Sequence, residues 1–468
     1  MSGKSEFVNW ESGALEQVAV SQQPALDGRL LSVAIPTQGI SAYRFLAQAK
    51  GLPRFYWADS KNGATFAGLG IAADLRAWGS QRFAAIENQA RQLFQYASSA
   101  EDMPEIAAPR LFGGFAFRPD FTPDNTWSIY PPAQFVLPHF QLFSDGDTSW
   151  LTINAMVPEE DDPQDAFSDL RKALTDRLVA LHKARPEMDA ATTPRAIHYP
   201  MPYADWEQMI KAALNEIHAG TLEKVVLARA CEVRLEERIE LMPILRYLDD
   251  TYQECYRFLF EPRPYHAFFG ATPELLIHAT GRTISTIGLA GSAPRGGDEE
   301  RDNALGQGLL TSAKDRWEHQ VVVDAIRSRL TPLTERLTIA AQPHLLRLHN
   351  IQHLETSIYG TLKERIGVLP LVEQLHPTPA LGGNPREEAL AFISDKEPVP
   401  RGWYAAPVGM IDNALDGTFT VAIRSAVAEK RRVWLYAGVG IVDGSDPQRE
   451  WEETDLKFRP MLNALGAT

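Results

Sequence analysis

Five ionisable residues in the C-terminal half carry the chemistry open to this chain: Lys224, Glu274, Glu318, Arg424 and Glu453. They stand in the segments KVVLARA, FFGATPELL, SAKDRWEH, FTVAIRSA and DPQREWEETDLKF. A lysine, a lone turn carboxylate, two helical carboxylates and an arginine suit acid–base work on a small anion held with a divalent metal. Glu450, Glu453 and Lys457 fall at i, i+3 and i+7 of a predicted helix over 447–465, so they share a face. The preceding Ser445-Asp446-Pro447 supplies an N-cap and a proline at the helix start. Asp315 and Glu318 repeat the i, i+3 spacing in a predicted helix over about 311–330. Two helices that each offer a carboxylate pair can hold a hard cation between them. Oxygen-only ligation, without a His or Cys cluster, favours Mg²⁺ over Zn²⁺. The same acids also suit a solvated face favoured by the helix dipole.

The other groups have two readings each. Alternation over FTVAIRSA predicts a strand with Thr420, Ala422, Arg424 and Ala426 on one face. Arg424 there is either a bidentate carboxylate clamp or half of a structural ion pair. Lys224 opens a strand whose next residues, VVLA, imply burial on both faces. A lysine entering that setting can serve as a base, whereas most strand-end lysines are solvated. Glu274 sits in an ATPE turn between apolar runs. Turn carboxylates are ordinarily solvated, but apolar flanks raise the pKa and make an acid.

The elements around these groups alternate in period. Short apolar runs in 28–80 (RLLSVAIP, RFYWAD, ATFAGLGIAA) predict strands, as do LFGGFAF, FVLPHFQLF and WLTINAMV. SDGDTS predicts a hairpin turn between the last two. Helical spacing appears over 81–98 and about 163–185, and 184–200 is the best linker. Further on, a helix over 204–219 ends at Gly220, and strands are expected at 224–230, 257–262, 265–279, 283–290, 345–361, 405–412, 418–428 and 432–440. The 311–330 helix should bury Val321, Val322, Ala325 and Ile326. GLGIAA matches a dinucleotide GxGxxA ahead of a helix, a weak pattern. His349 and His353 are spaced HxxxH but read as strand residues without a metal. GSAPRGG at 291–297 reads as a turn whose amides can bind an anion. The fold class is α/β (α+β), mostly antiparallel.

Bulk composition narrows the function. The chain has 468 residues, 46 Lys and Arg against 60 Asp and Glu, and a net charge of −14. That field disfavours nucleic acid and anionic membranes as partners. No apolar run approaches a membrane span, and MSGKSEFVNWESG lacks a signal-peptide core. Two cysteines, Cys231 and Cys255, in no ligand spacing fit a reducing cytoplasm. No apolar heptad or exposed strand is evident, so a monomer is expected.

Nine ordered blocks across roughly 200–460 then make the chain similar to the chorismate-utilising enzymes. They include EKVVLAR, GATPELL, GLAGSAPRG, SAKDRWEH, NIQHLETSIYG, LHPTPALGGNP, RGWYAAPVGMID, FTVAIRSA and YAGVGIVDGSDPQREWEETDLK. The resemblance implies a single large layered domain of antiparallel sheets flanked by helices. Residues 1–190 would form its N-terminal part and 198–465 its chorismate-binding catalytic region. It implies Mg²⁺-dependent conversion of chorismate to isochorismate, ahead of quinone, siderophore or salicylate synthesis. Lys224 matches the base that activates water, and Glu274 the acid that protonates the leaving C4 hydroxyl. Glu318 and Glu453 match the metal ligands, with Glu450 nearby. Arg424, Gly438, Gly291, Ser292 and Lys457 match substrate contacts, and His353, Ala380 and Tyr404 the pocket wall. Ala290 stands where the aminodeoxychorismate-forming members carry a nucleophilic lysine, which disfavours that activity. Salicylate formation, which adds pyruvate elimination in the same pocket, is the alternative.

Overall fold

The computed structural model describes residues 28–467 except 50, 60, 62, 100–102, 122–124 and 184–190. The N-terminal signal-peptide reading and the first part of the linker therefore lie outside the described residues. Two antiparallel sheets face each other across an aromatic core. The larger has thirteen strands among the described residues. It runs from the edge strand Pro194–His198 through Lys224–Leu235, Arg432–Ile441, Ser425–Glu429, His266–Thr272 and Tyr256–Arg263. It continues through Arg54–Ala58, Thr65–Leu69, Phe140–Ser144 and Ser149–Val157 to Arg29–Pro36. The smaller has ten, with Thr334–Ile339, Ile351–Leu362, Thr283–Pro294, Leu275–Thr280, Gly417–Val421, Pro407–Asp412, Arg110–Phe115, Ala133–Leu137 and Ala73–Ala77 in order. Both sheets draw strands from both halves of the chain. Layering therefore buries one face of the central strands against the other sheet, which is what an amphipathic strand requires.

The core between the sheets is aromatic. Phe55, Phe112, Phe115, Phe135, Tyr130, Phe260, Phe268 and Trp403 are all buried. Their rings meet edge-on or tilted, as at Phe55–Phe260 (5.1 Å) and Phe260–Trp403 (5.2 Å). Truncating such a ring to alanine costs about 3–5 kcal/mol.

The chain repeatedly changes sheet within one continuous extended run. His266–Thr272 lies in the large sheet and Leu275–Thr280 in the small one. Gly417–Val421 lies in the small sheet and Ser425–Glu429 in the large. The runs expected as single strands at 265–279 and 418–428 are therefore each two strands. Arg424 is not on a strand at all: it sits in the second crossover, at φ +49°. Periodicity misses this because every residue on either side of the break is still apolar or small. The GLGIAA segment is a third crossover, from Thr65–Leu69 to Ala73–Ala77, with Gly70 at φ +66° supplying the bend. A strand rather than a helix follows it, so the dinucleotide pattern is overturned.

Other expectations meet the structure with smaller changes. The helices are Arg82–Gln95, Pro163–Lys183, Tyr203–His218, Ala313–Leu330 and Pro447–Ala464, each within a few residues of its expected span. The SDGDTS hairpin forms, with Asp145 accepting from the amides of Asp147 and Thr148. Five further helices were not foreseen: Ala42–Ala47, Leu241–Thr251, Glu299–Thr311, Leu369–Leu375 and Arg386–Lys396. Most are short, and packing against the sheets selects them. The expected linker is partly a strand, since Pro194–His198 pairs with Lys224–Leu235. GSAPRGG is likewise strand through Pro294, with a bulge between Ala290 and Ser292 and Gly291 at φ +75°. On the Ala313–Leu330 helix Val322 and Ile326 are buried as expected, but Val321 and Ala325 are only half-buried, and His319, Val323 and Leu330 complete the buried face. No helix among the described residues is long and apolar enough to cross a membrane.

Candidate active site

The two crossovers that carry Glu274 and Arg424 lie side by side. The Val421 amide donates to the Glu274 carbonyl at 3.0 Å, and the Ala271 amide donates to the Arg424 carbonyl at 3.1 Å. Where both chains leave one sheet for the other, the layers part. A cavity of about 860 Å³, counting space open to solvent, fills the gap. Its wall includes Glu274, Gly291, Ser292, Glu318, His353, Ala380, Tyr404, Arg424, Gly438, Glu450, Glu453 and Lys457. Residues expected at the site from distant segments thus converge on one space.

Lys224 stands just behind this wall. It is 1% exposed, which rules out the solvated strand-end reading. Its ammonium donates to Glu318 Oε1 at 2.8 Å. The pair lies against Gly440, where an added Cβ would fall 2.4 Å from that same oxygen and 2.9 Å from Lys224 Cε. Glycine at 440 is what lets the amine and the helix carboxylate meet there.

Glu274 is 5% exposed, between apolar strands. Burial pushes its carboxyl from 4.5 up to about 8, against the pull of Lys224 and Lys457. It is therefore mostly protonated at neutral pH and can give up a proton.

Arg424 is 5% exposed and donates from Nη2 to His353 Nε2 at 3.4 Å. His353 Nδ1 lies 3.1 Å from the Gly291 carbonyl, which can only accept, so this nitrogen carries the hydrogen. Burial, with Arg424 and Lys457 adding, drives the imidazole down to about 3, so it stays neutral. The remaining guanidinium donors have no carboxylate partner in the ion pairs of the described residues. The carboxylate-clamp reading, not the structural ion pair, fits this arrangement.

The acids gather on the two helices, as their spacing implies. Asp446 caps the Pro447–Ala464 helix by accepting from the Arg449 amide, and Ser312 caps Ala313–Leu330. Each candidate metal carboxylate is met by a lysine: Glu318 by Lys224 at 2.8 Å, Glu450 by Lys314 at 3.1 Å and Glu453 by Lys457 at 2.7 Å. Burial raises the Glu450 carboxyl, Glu453 raises it further, and Lys314 offsets part of this. Burial also pushes Glu453 up, but Lys457 and the Ser292 hydroxyl outweigh it and hold that carboxyl below its usual range. Asp315 is raised by burial and by Glu318 and Glu453. No three His, Cys, Asp or Glu among the described residues already converge on one point as a metal cage. The donor set nevertheless fits a hard divalent cation: all oxygen, mutually repelling, half-buried and lining one cavity. The carboxylates would have to turn from their lysines to share it.

Sequence reasoning missed part of the wall. Tyr436 stacks on Tyr404 at 5.1 Å and accepts from Trp127 Nε1 at 2.9 Å. Arg401 is held by Glu397 and by the carbonyls of Leu381 and Val226. Trp403 Nε1 donates to the Pro131 carbonyl at 2.9 Å. The N-terminal half thus props the 401–406 segment that closes the cavity. Lys314 was overlooked although it lies inside SAKDRWEH. Its partner is 136 residues away, and only helix packing reveals the pair.

A family profile described as "Chorismate binding enzyme" matches residues 14–466. The chain is 34% identical over 419 residues to isochorismate synthase MenF of Bacillus subtilis, covering 88% of each chain. It is 35% identical over 463 residues to the salicylate biosynthesis isochorismate synthase of Pseudomonas aeruginosa, covering 96% of this chain and 93% of that protein. Among solved structures, the menaquinone-specific isochorismate synthase MenF of Escherichia coli superposes with a TM-score of 0.78 at 27% identity, covering 94% of this chain and 95% of that one.

Proposed function

The chain belongs to the chorismate-binding enzyme family, and from that premise we propose that it is an isochorismate synthase, an isomerase that converts chorismate to isochorismate. The observation that carries the assignment is the paired placement of Glu274 and Lys224. Glu274, a buried carboxyl raised to about 8, and Glu318 line the same cavity, and Lys224 meets that wall by donating to Glu318 at 2.8 Å.

Water adds at C2 of the ring, the double bonds shift, and the C4 hydroxyl leaves as water, so substrate and product are isomers. Lys224, once unprotonated, takes the proton from the attacking water. Glu274 gives its proton to the departing C4 oxygen. Each such proton transfer contributes about 10²–10⁴-fold. Arg424 holds one substrate carboxylate, with Lys457 and the bare backbone at Gly438 and Gly291 alongside. Neutral His353 keeps the guanidinium aimed without competing for the anion. The Tyr404–Tyr436 stack and Ala380 exclude water from the ring. Mg²⁺ held by Glu318, Glu453 and Glu450 would neutralise the second carboxylate and polarise the ring. Ala290 offers no amine, so water is the nucleophile rather than the chain. The enzyme works as a cytoplasmic monomer.

The test is chromatography of chorismate incubated with the protein and Mg²⁺. Isochorismate, lost on chelation by EDTA, is the expected product. Salicylate with pyruvate, formed without an added lyase, would replace this reading with the elimination reaction, and unchanged chorismate would refute both.

A further inference from the structure

Three lysines neutralise the three candidate metal carboxylates, but they are not equally fixed. Lys224 is 1% exposed and enclosed by the Gly440 backbone and Glu318. Lys457, with 15% of its side chain exposed, holds both Glu453 and the Gly438 carbonyl, the latter at 2.9 Å. Lys314 is different. Its side chain is 41% exposed, and among the described residues its ammonium hydrogen-bonds to Glu450 alone, at 3.1 Å. Glu450 itself is anchored, 4% exposed and near Ser445, so it cannot follow the lysine outward. Lys314 also lines the cavity beside Asp315 and Glu318. A long, single-tethered cation at the mouth of an acidic site can swing into water at little cost, keeping its charge hydrated.

We propose that Lys314 is a resident counter-ion of the cation site. It holds Glu450 in place while no divalent cation is bound and gives it up when one arrives, so it sets the affinity for the cation. This rests on the metal reading above. A divalent cation at Glu450 and Glu453 would lie within a few ångströms of an ammonium that has not moved, and like charges at that range repel strongly. The lysine must therefore leave, and the work of displacing it is subtracted from cation binding. Once displaced, it stands at the rim of a cavity meant for a dianion. Cation binding thereby converts an internal ion pair into a free positive charge facing the incoming substrate.

Isothermal titration of Mg²⁺ into the full chain, without chorismate, tests this for the wild type, Lys314→Gln and Lys314→Arg. Thermal melts confirm folding of each variant. Removing the competitor should tighten Mg²⁺ binding about three- to fivefold in Lys314→Gln, the upper range for a partly exposed ion pair. Lys314→Arg should stay within about twofold, because it keeps a competing charge. Unchanged or weaker binding in Lys314→Gln overturns the proposal, as does the absence of Mg²⁺ binding in the wild type. The functional reading fails separately. Wild type that binds Mg²⁺ but makes no isochorismate would sink the activity and leave the counter-ion role standing.

Discussion

Glu274→Gln separates the acid from everything else at the site. The amide keeps the size and the neutral charge that burial imposes, but has no proton to give. A carboxyl carried from 4.5 to about 8 is disfavoured as the anion by roughly 5 kcal/mol, at about 1.36 kcal/mol per pH unit. About nine-tenths of the molecules then carry the proton at pH 7. Turnover in the variant should fall about 10²–10⁴-fold, with chorismate affinity changed only a few-fold. In the wild type, kcat/KM should fall about tenfold per pH unit above about 8 as Glu274 ionises, and this limb should vanish in the residual activity of the variant. Stability gives an independent readout. The folded pKa is raised, so the contribution is complete below 4.5 and is lost as pH rises through about 8. Between about pH 4.5 and 8, calorimetry should therefore show the wild type losing stability relative to Glu274→Gln, by about 1.4 kcal/mol per unit, and levelling off above 8. Product formation within a few-fold of wild type, or an alkaline limb that survives in the variant, would refute the assignment.

Lys224→Ala should lower turnover about 10²–10⁴-fold while chorismate binding, measured by titration, stays near wild type; a loss of only a few-fold would remove the base. Because the change leaves Glu318 without its partner, it should also destabilise the fold, by about 3–5 kcal/mol in a denaturant melt if Glu318 stays ionised. Glu453→Gln should raise the Mg²⁺ concentration for half-maximal activity about tenfold or more, and an unchanged titration would strike it from the ligand set. Gly440→Ala places a Cβ where Glu318 Oε1 and Lys224 Cε now lie, 2.4 and 2.9 Å away. Displacing that pair by about 1 Å should cost roughly 10²-fold in turnover. The melting temperature should move little, since the colliding atoms are side-chain ends; a fully active variant would show that the pair need not sit there.

Much of the site could be read without coordinates. The i, i+3 carboxylates and the cap ahead of Pro447 follow from helix geometry, which is local. The burial of Lys224 follows from the apolar run after it. Charge, cysteine usage and the motif blocks bounded the chemistry in the same local way. What they could not convey is where an extended run changes sheet. Strand periodicity passes unbroken through 418–428, yet the backbone turns at Arg424 with φ +49°. Whether such a run continues or crosses depends on which distant strands flank it, here Pro407–Asp412 on one side and His266–Thr272 on the other. The meeting of Lys314 with Glu450, the support of Tyr436 by Trp127, and the acidity of Glu274 are of the same kind. Residue identity decided which groups this protein has for proton transfer and anion binding. Tertiary packing alone decided their distances, their desolvation and their partners, because those energies belong to contacts between segments far apart in the chain, from 71 residues for Arg424 and His353 to 136 for Lys314 and Glu450.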